Sequence, residues 1–174
     1  MRMAYCDPPY LGVARKHYGK LHAAAGLYDT IAGHAALIKR LQRDYADGWA
    51  LSLSSPALAA ILPLCPPTAR VLAWVKPFAS FKPGVNPGYA WEPVIVCGGR
   101  KRTREQLTVR DWVSANSTRQ RGTPGAKPEA FCYWIFEVLN LEPGDEFDDL
   151  FPGSGAVMRA YTRWQLRMAL GGVA

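Results

Sequence analysis

Asp7-Pro8-Pro9-Tyr10 sets a carboxylate, two rigid backbone units and a phenol ring side by side near the start of the chain. An ionised carboxylate only accepts hydrogen bonds, and proline has no N–H to donate. The segment is therefore rich in acceptors and fixed in shape, which suits a substrate that presents N–H groups. The plainer reading is a turn: Asp starts type I turns, and paired prolines end any strand before them.

A second segment with chemical content is Asp149-Leu150-Phe151-Pro152-Gly153-Ser154-Gly155. A strand that ends in an acid and turns through G-x-G into a helix is how doubly wound folds bring backbone close to a ligand. A third is Lys127-Pro128, which opens an apolar helix upstream of that strand.

In this order the three segments resemble the amino-methyltransferases that methylate exocyclic nitrogens of DNA bases with S-adenosylmethionine. That family's (D/N/S)PP(Y/F/W) motif matches Asp7–Tyr10, its D-x-F-x-G-x-G motif matches Asp149–Gly155, and its K-P motif matches Lys127-Pro128. The catalytic half precedes the cofactor half, which is the circularly permuted order of the β class. The resemblance implies a Rossmann-like α/β fold over 1–174, a single mostly parallel sheet with helices on both faces. Residues 1–97 would form the catalytic half and 127–174 the cofactor half. It implies Asp7, Pro8, Pro9 and Tyr10 as the catalytic set, with adenine N6 favoured over cytosine N4. The exocyclic amine of such a base is a poor nucleophile, because its lone pair is delocalised into the ring. On this resemblance the Asp7 side chain and the rigidly held Pro8 carbonyl would accept from its two N–H groups and favour a pyramidal nitrogen. Tyr10 would stack on the base, which must leave a duplex to reach the pocket. Asp149, Phe151, Gly153, Ser154, Gly155 and Lys127 would hold S-adenosylmethionine, with Asp149 balancing its positive charge and Lys127 at its edge.

The chain departs from the family after Gly155. The family continues with two further strands, the first carrying an acid that grips the cofactor ribose. The nineteen residues after Gly155 contain neither Asp nor Glu. The expected fold therefore lacks the last two cofactor-side strands, and the expected cofactor binding is weak or incomplete.

The elements that must position these groups follow from pattern. Met3–Cys6, Trp49–Leu53, Val71–Val75, Val94–Cys97 and Glu146–Leu150 read as strands. Helices are expected from His34 to about Tyr45, over Leu58–Leu62, from the Lys127-Pro128 start through Leu141, and over Ala156–Leu170. Residues 11–33 read as a partly helical loop, and the proline-rich stretch 76–93 as a long loop of the kind that carries function. The alternation of strands and helices argues an α/β layer structure.

A chain of 174 residues with 49% hydrophobic content can bury one sizeable core. Its net charge of +7 favours a polyanionic partner. Residues 98–126 hold seven basic side chains against two acidic ones, so they carry most of that excess. Arg100, Lys101, Arg102, Arg104, Arg119 and Arg121 are therefore candidates to track DNA phosphates, beside a plain solvated loop as the alternative. Cys6, Cys65, Cys97 and Cys132 lie far apart, and neither they nor the three histidines have metal-ligand spacing. Reduced thiols, no metal, no membrane span and a cytoplasmic location are expected. Trp74, Trp91 and Trp134 are expected in the core, and Lys76 near the mouth of the site. Two other readings stay open. The same acceptors could serve an RNA base or a glutamine amide, and a catalytically weak or silent relative could bind nucleic acid alone.

Overall fold

The computed structural model of the chain describes residues 1–12, 23–79, 81, 83–117 and 126–171. Its strands are β1 (Arg2–Cys6), β2 (Gly48–Ser52), β3 (Arg70–Val75), β4 (Trp91–Gly98), β5 (Trp112–Ser114) and β6 (Glu146–Asp149). Its α-helices are α1 (Ile31–Asp44), α2 (Leu58–Ile61), α3 (Glu129–Leu139) and α4 (Ala156–Ala169), and a 3₁₀ segment at Ala23–Asp29 precedes α1.

The six strands form one sheet in the order β5-β3-β4-β2-β1-β6. β1 runs parallel to β2 and β6, and β5 runs parallel to β3. β4 is antiparallel to both β2 and β3, so it alone is reversed. The central strands are buried on both faces, as their near-continuous apolar sequences require. One residue parity faces α3 and α4: Met3, Tyr5, Leu72, Trp74, Val94 and Val96 pack against Phe131, Phe136 and Trp164. The other faces α1 and α2, with Ala4, Cys6, Trp49, Leu51 and Ile95 against Leu37, Ile38, Leu41 and Ile61. Helices therefore cover both faces, and the architecture is the expected Rossmann-like α/β fold with a mixed sheet.

Several boundaries differ from expectation for local reasons. Helix α1 starts at Ile31, not His34, because Thr30 caps it, its hydroxyl accepting from the Gly33 N–H at 3.1 Å. β4 begins at Trp91 and so takes in Glu92-Pro93, which read as loop. Pro93 is tolerated because regular pairing with β2 stops at Val94, and its carbonyl on that side accepts from Leu53 at 3.3 Å. Trp91, at the strand start, is 38% exposed and not core. Trp74 and Trp134 are buried, and their indoles donate to the Ala115 and Arg110 carbonyls, pinning both flanks of β5. β5 itself falls in the stretch that read as irregular. The stretch 11–33 contains the 3₁₀ segment and the start of α1, while residues 13–22 lie outside the described residues. All four cysteines are free, with Cys6 and Cys132 buried and Cys65 and Cys97 half-buried. Among the described residues no helix is long and apolar enough to cross a membrane.

Phe136 is fully buried and meets the rings of Phe147, Tyr161 and Trp164 at 5.2–5.8 Å. It ties α3 to β6 and α4, so Phe136→Ala is expected to lower unfolding free energy by about 3–5 kcal/mol, measured by urea denaturation.

Candidate active site

Three rows of side chains on the α3 face run toward one end of the sheet and change character together. Met3 and Tyr5 lead to Asp7, Leu72 and Trp74 lead to Lys76, and on the reversed strand Val96 and Val94 lead to Glu92. Trp74 pairs with Glu92 in register, and Val75 with Trp91. The carboxyl ends of β1 and β3 and the amino end of β4 therefore deliver Asp7, Lys76 and Glu92 to the same place, the edge where open α/β sheets bind ligands. Lys127, just before α3, reaches into this cluster. These residues line a cavity of about 250 Å³ with Pro8, Tyr10, Trp74, Ser117 and Ala126.

The Lys127 side chain is 5% exposed, and its Nζ lies 3.0 Å from Asp7 Oδ1 and 3.3 Å from Glu92 Oε2. It also sits 5.1 Å from the Trp74 ring centre and 5.6 Å from that of Phe131, a cation–π setting. The Tyr10 hydroxyl donates to Glu92 Oε2 at 2.8 Å and lies 3.3 Å from Asp7 Oδ1. Glu92 Oε1 pairs with the Lys76 ammonium. No described residue donates to Asp7 Oδ2 or to the Pro8 carbonyl. Burial raises the Asp7 carboxyl above the ordinary range, with Lys127 opposing that shift and Glu92 adding to it. Glu92 is also penalised by burial, yet Lys127 and Lys76 hold it below the ordinary range. Burial works against the Lys127 charge, but Asp7 and Glu92 outweigh it and raise its pKa. Burial and both carboxylates push the Tyr10 phenol well up. The cluster thus holds two cations and two anions, with one carboxylate oxygen and one carbonyl that accept from no donor among the described residues.

At the end of β6, next to β1, Asp149 Oδ1 accepts from the Phe151 N–H at 3.2 Å, while its buried Oδ2 has no partner among the described residues. Burial raises this carboxyl to about 6, with Asp7 adding to the shift. Gly153 and Gly155 have φ of +46° and +71°, which only glycine adopts without strain. No side chain caps the amino end of α4 that follows. Phe151 packs edge-on to Tyr28 at 5.2 Å. An orphaned buried carboxylate beside a glycine turn and an open helix end fits a ligand that carries a cation and needs close backbone contact.

Asp7, Pro8 and Tyr10 line the cavity, Pro9 between them is not among its lining residues, and Asp149, Phe151, Gly153, Ser154 and Gly155 lie at the neighbouring strand end. Lys127 is bonded between Asp7 and Glu92, because the start of α3 packs over the end of β1, and its charge also acts on Asp149. Two expectations are corrected in the basic run. Arg100 is not a free phosphate contact, since its guanidinium grips both Asp145 oxygens at 2.7 and 2.9 Å. Arg102 is likewise spent on the Leu107 and Glu137 carbonyls. Lys101 and Arg104 are exposed. Arg119 and Arg121 lie outside the described residues. Glu92 escaped the sequence reading; the signal was the alternation Glu92, Val94, Val96, which continues an inward-facing row through a proline.

The sheet and its strand order define a Rossmann-like α/β fold. Structure comparison agrees. The chain is similar to M1.HpyAVI in its complex with SAM, at 15% identity and a TM-score of 0.58, covering 94% of this chain and 78% of that one. It is also similar to TTHA0409 of Thermus thermophilus, described as a candidate DNA modification methylase, at 18% identity and a TM-score of 0.59, covering 95% and 77%. The form of TTHA0409 complexed with S-adenosyl-L-methionine gives 18% and 0.56. No family model matches the sequence, and no curated protein does either. At these identities the likeness establishes the fold.

A carboxyl whose folded pKa lies above its unfolded value near 3.9 favours the fold when protonated and opposes it when ionised. Asp149 therefore costs stability as pH rises from about 4 through 6. Asp149→Asn keeps the bond from the Phe151 N–H, so it is expected to stabilise the protein at pH 7 by up to about 3 kcal/mol and to have no effect at pH 3. Urea titrations at the two pH values check this.

Proposed function

We propose that the chain is an S-adenosylmethionine-dependent methyltransferase acting on the exocyclic amine of a DNA base, adenine N6 ahead of cytosine N4. The observation that carries this reading is the pair of free acceptors in the cavity. Asp7 Oδ1 is anchored by Lys127, while Asp7 Oδ2 and the Pro8 carbonyl are open to two N–H groups. Those two acceptors would localise the amine lone pair on nitrogen. Asp7 is also the nearest acceptor for the proton that the methylated nitrogen sheds. Tyr10 offers a ring face for a base that has left its duplex.

When bound, S-adenosylmethionine supplies a methyl group on a sulfonium, which departs as a neutral thioether while the N–C bond forms. The Asp149 carboxylate would face its positive charge, the Gly153–Gly155 turn would admit its methionine portion, and Phe151 would wall the pocket. Support for S-adenosylmethionine comes from these fits and from the two neighbours whose structures contain it. Support for DNA comes from the net charge of +7 and from the resemblance of Asp7–Tyr10 to the DNA amino-methyltransferase motif. That resemblance also carries the lean toward adenine.

Asp7→Ala is expected to lower transfer of labelled methyl to DNA by on the order of 10²–10⁴-fold while leaving cofactor affinity, measured by calorimetry, within a few-fold. Equal transfer by the variant would overturn the acceptor role, and no transfer by the wild type with cofactor in excess would overturn the enzyme reading. Arg100→Ala is expected to lower Tm without changing the salt dependence of DNA binding, because Arg100 serves Asp145.

A further inference from the structure

Glu92 is absent from the motifs that carry the proposed function, yet it touches both ammonium groups of the cavity and the Tyr10 hydroxyl. One oxygen holds the Lys76 ammonium; the other takes the Tyr10 hydroxyl at 2.8 Å and the Lys127 ammonium at 3.3 Å. Its side chain is 18% exposed, so the carboxylate is poorly screened. Without it, the Lys127 ammonium would have Asp7 as its one carboxylate partner and would neutralise it more fully. A carboxylate in a close one-to-one ion pair is a weaker acceptor for an incoming N–H, since its electron density is already drawn to the cation. The Tyr10 phenol would lose its shorter hydrogen bond, and the Lys76 ammonium, 4.6 Å from the Trp74 ring centre, would lose its counter-charge.

Resting on the methyltransferase reading, we propose that Glu92 is a positioning residue for the transfer. Its carboxylate divides the Lys127 ammonium with Asp7 and fixes the Tyr10 hydroxyl, so that Asp7 Oδ2 stays available to an N–H of the target amine. The cluster also sets the acid limit of activity, because Asp7 must be ionised to accept. The groups that face Asp7 are Lys127 ahead of α3, Glu92 on β4, Tyr10 on its own segment, Tyr5 and Cys6 on β1, and Asp149 on β6. Of these, Lys127 favours the ionised form, and the carboxylate of Glu92 disfavours it.

The sign of a Glu92→Gln substitution follows. Removing the negative charge leaves Asp7 easier to ionise, so its titration moves to lower pH. The same change tightens the Lys127–Asp7 pair, so the rate at neutral pH falls. The variant is therefore slower on its plateau and more resistant to acid than the wild type. A residue that merely supports the fold would lower the plateau and leave the acid limb in place or move it upward. Glu92→Asp keeps the charge and is expected to keep the wild-type acid limb.

The experiment is a site-resolved ¹³C carboxyl titration of Asp7 by NMR in the wild type, Glu92→Gln and Glu92→Asp, with the pH profile of kcat for methyl transfer to duplex DNA measured beside it. The expected results are a downward shift of the Asp7 midpoint in Glu92→Gln, a matching shift of the acid limb of kcat, and Glu92 ionising before Asp7 in the wild type. An Asp7 midpoint that is unmoved or raised in Glu92→Gln would overturn the proposal, as would Asp7 ionising before Glu92 in the wild type. That last comparison needs no variant to fold. The titration needs no turnover, so a wild type that transfers no methyl overturns the function while the NMR result still judges Glu92.

Discussion

The Lys127 ammonium is 5% exposed and sits between two carboxylates, with Trp74 and Phe131 rings against it. Taking a lone charge out of water costs several kcal/mol, so an ammonium this deep requires its partners. Those partners are distant in the chain: Asp7 follows β1, Glu92 lies on the reversed strand β4, and Lys127 precedes α3. The ion cluster can form only if β1, β3 and β4 take their places in the sheet and α3 packs across them. The order of the strands and the chemistry of the cavity are thus one constraint seen at two scales. It also explains why the cavity has open acceptors, since Asp7 is held through one oxygen and offers the other.

The second acid of the site shows the opposite environment. Asp149 lies beside Asp7 across the β1–β6 pairing, which matches Tyr5 with Asp149. It forms no ion pair among the described residues, and its buried Oδ2 has no partner among them. An orphaned buried carboxylate destabilises a fold, and such strain persists where a ligand relieves it. One carboxylate is thus ion-paired and the other left raised to about 6, although their strands are neighbours. The two strand ends are accordingly suited to different occupants, one offering N–H groups and the other offering positive charge.

Much of this was legible because it is local. Asp7–Tyr10 and Asp149–Gly155 are contiguous segments whose backbone demands show in the residue types, and the strand–helix alternation foretold the α/β layers. What escaped was long-range. Glu92 and Lys76 read as parts of a proline-rich loop because nothing nearby announces that β3 and β4 pair antiparallel, in the register that sets Trp74 against Glu92. Lys127 was assigned by its motif to the neighbouring site, and only the packing of α3 shows which acid it meets. β5 is three residues long at the sheet edge, held by two tryptophan indoles from elsewhere, and a strand that short has no period to read. Arg100 looked like part of a basic run; its partner Asp145 is distant in sequence and tethers the chain's first amino group as well.

The central claim is that the acceptor pair at Asp7 and Pro8 directs a methyl group onto an exocyclic amine. The most direct measurement is incubation of the wild type with duplex DNA and methyl-labelled S-adenosylmethionine, followed by digestion to nucleosides and chromatographic identification of the labelled base. The account predicts label on an exocyclic nitrogen, at N6-methyladenine before N4-methylcytosine. Label confined to a ring carbon, or no label with both substrates in excess, would contradict it.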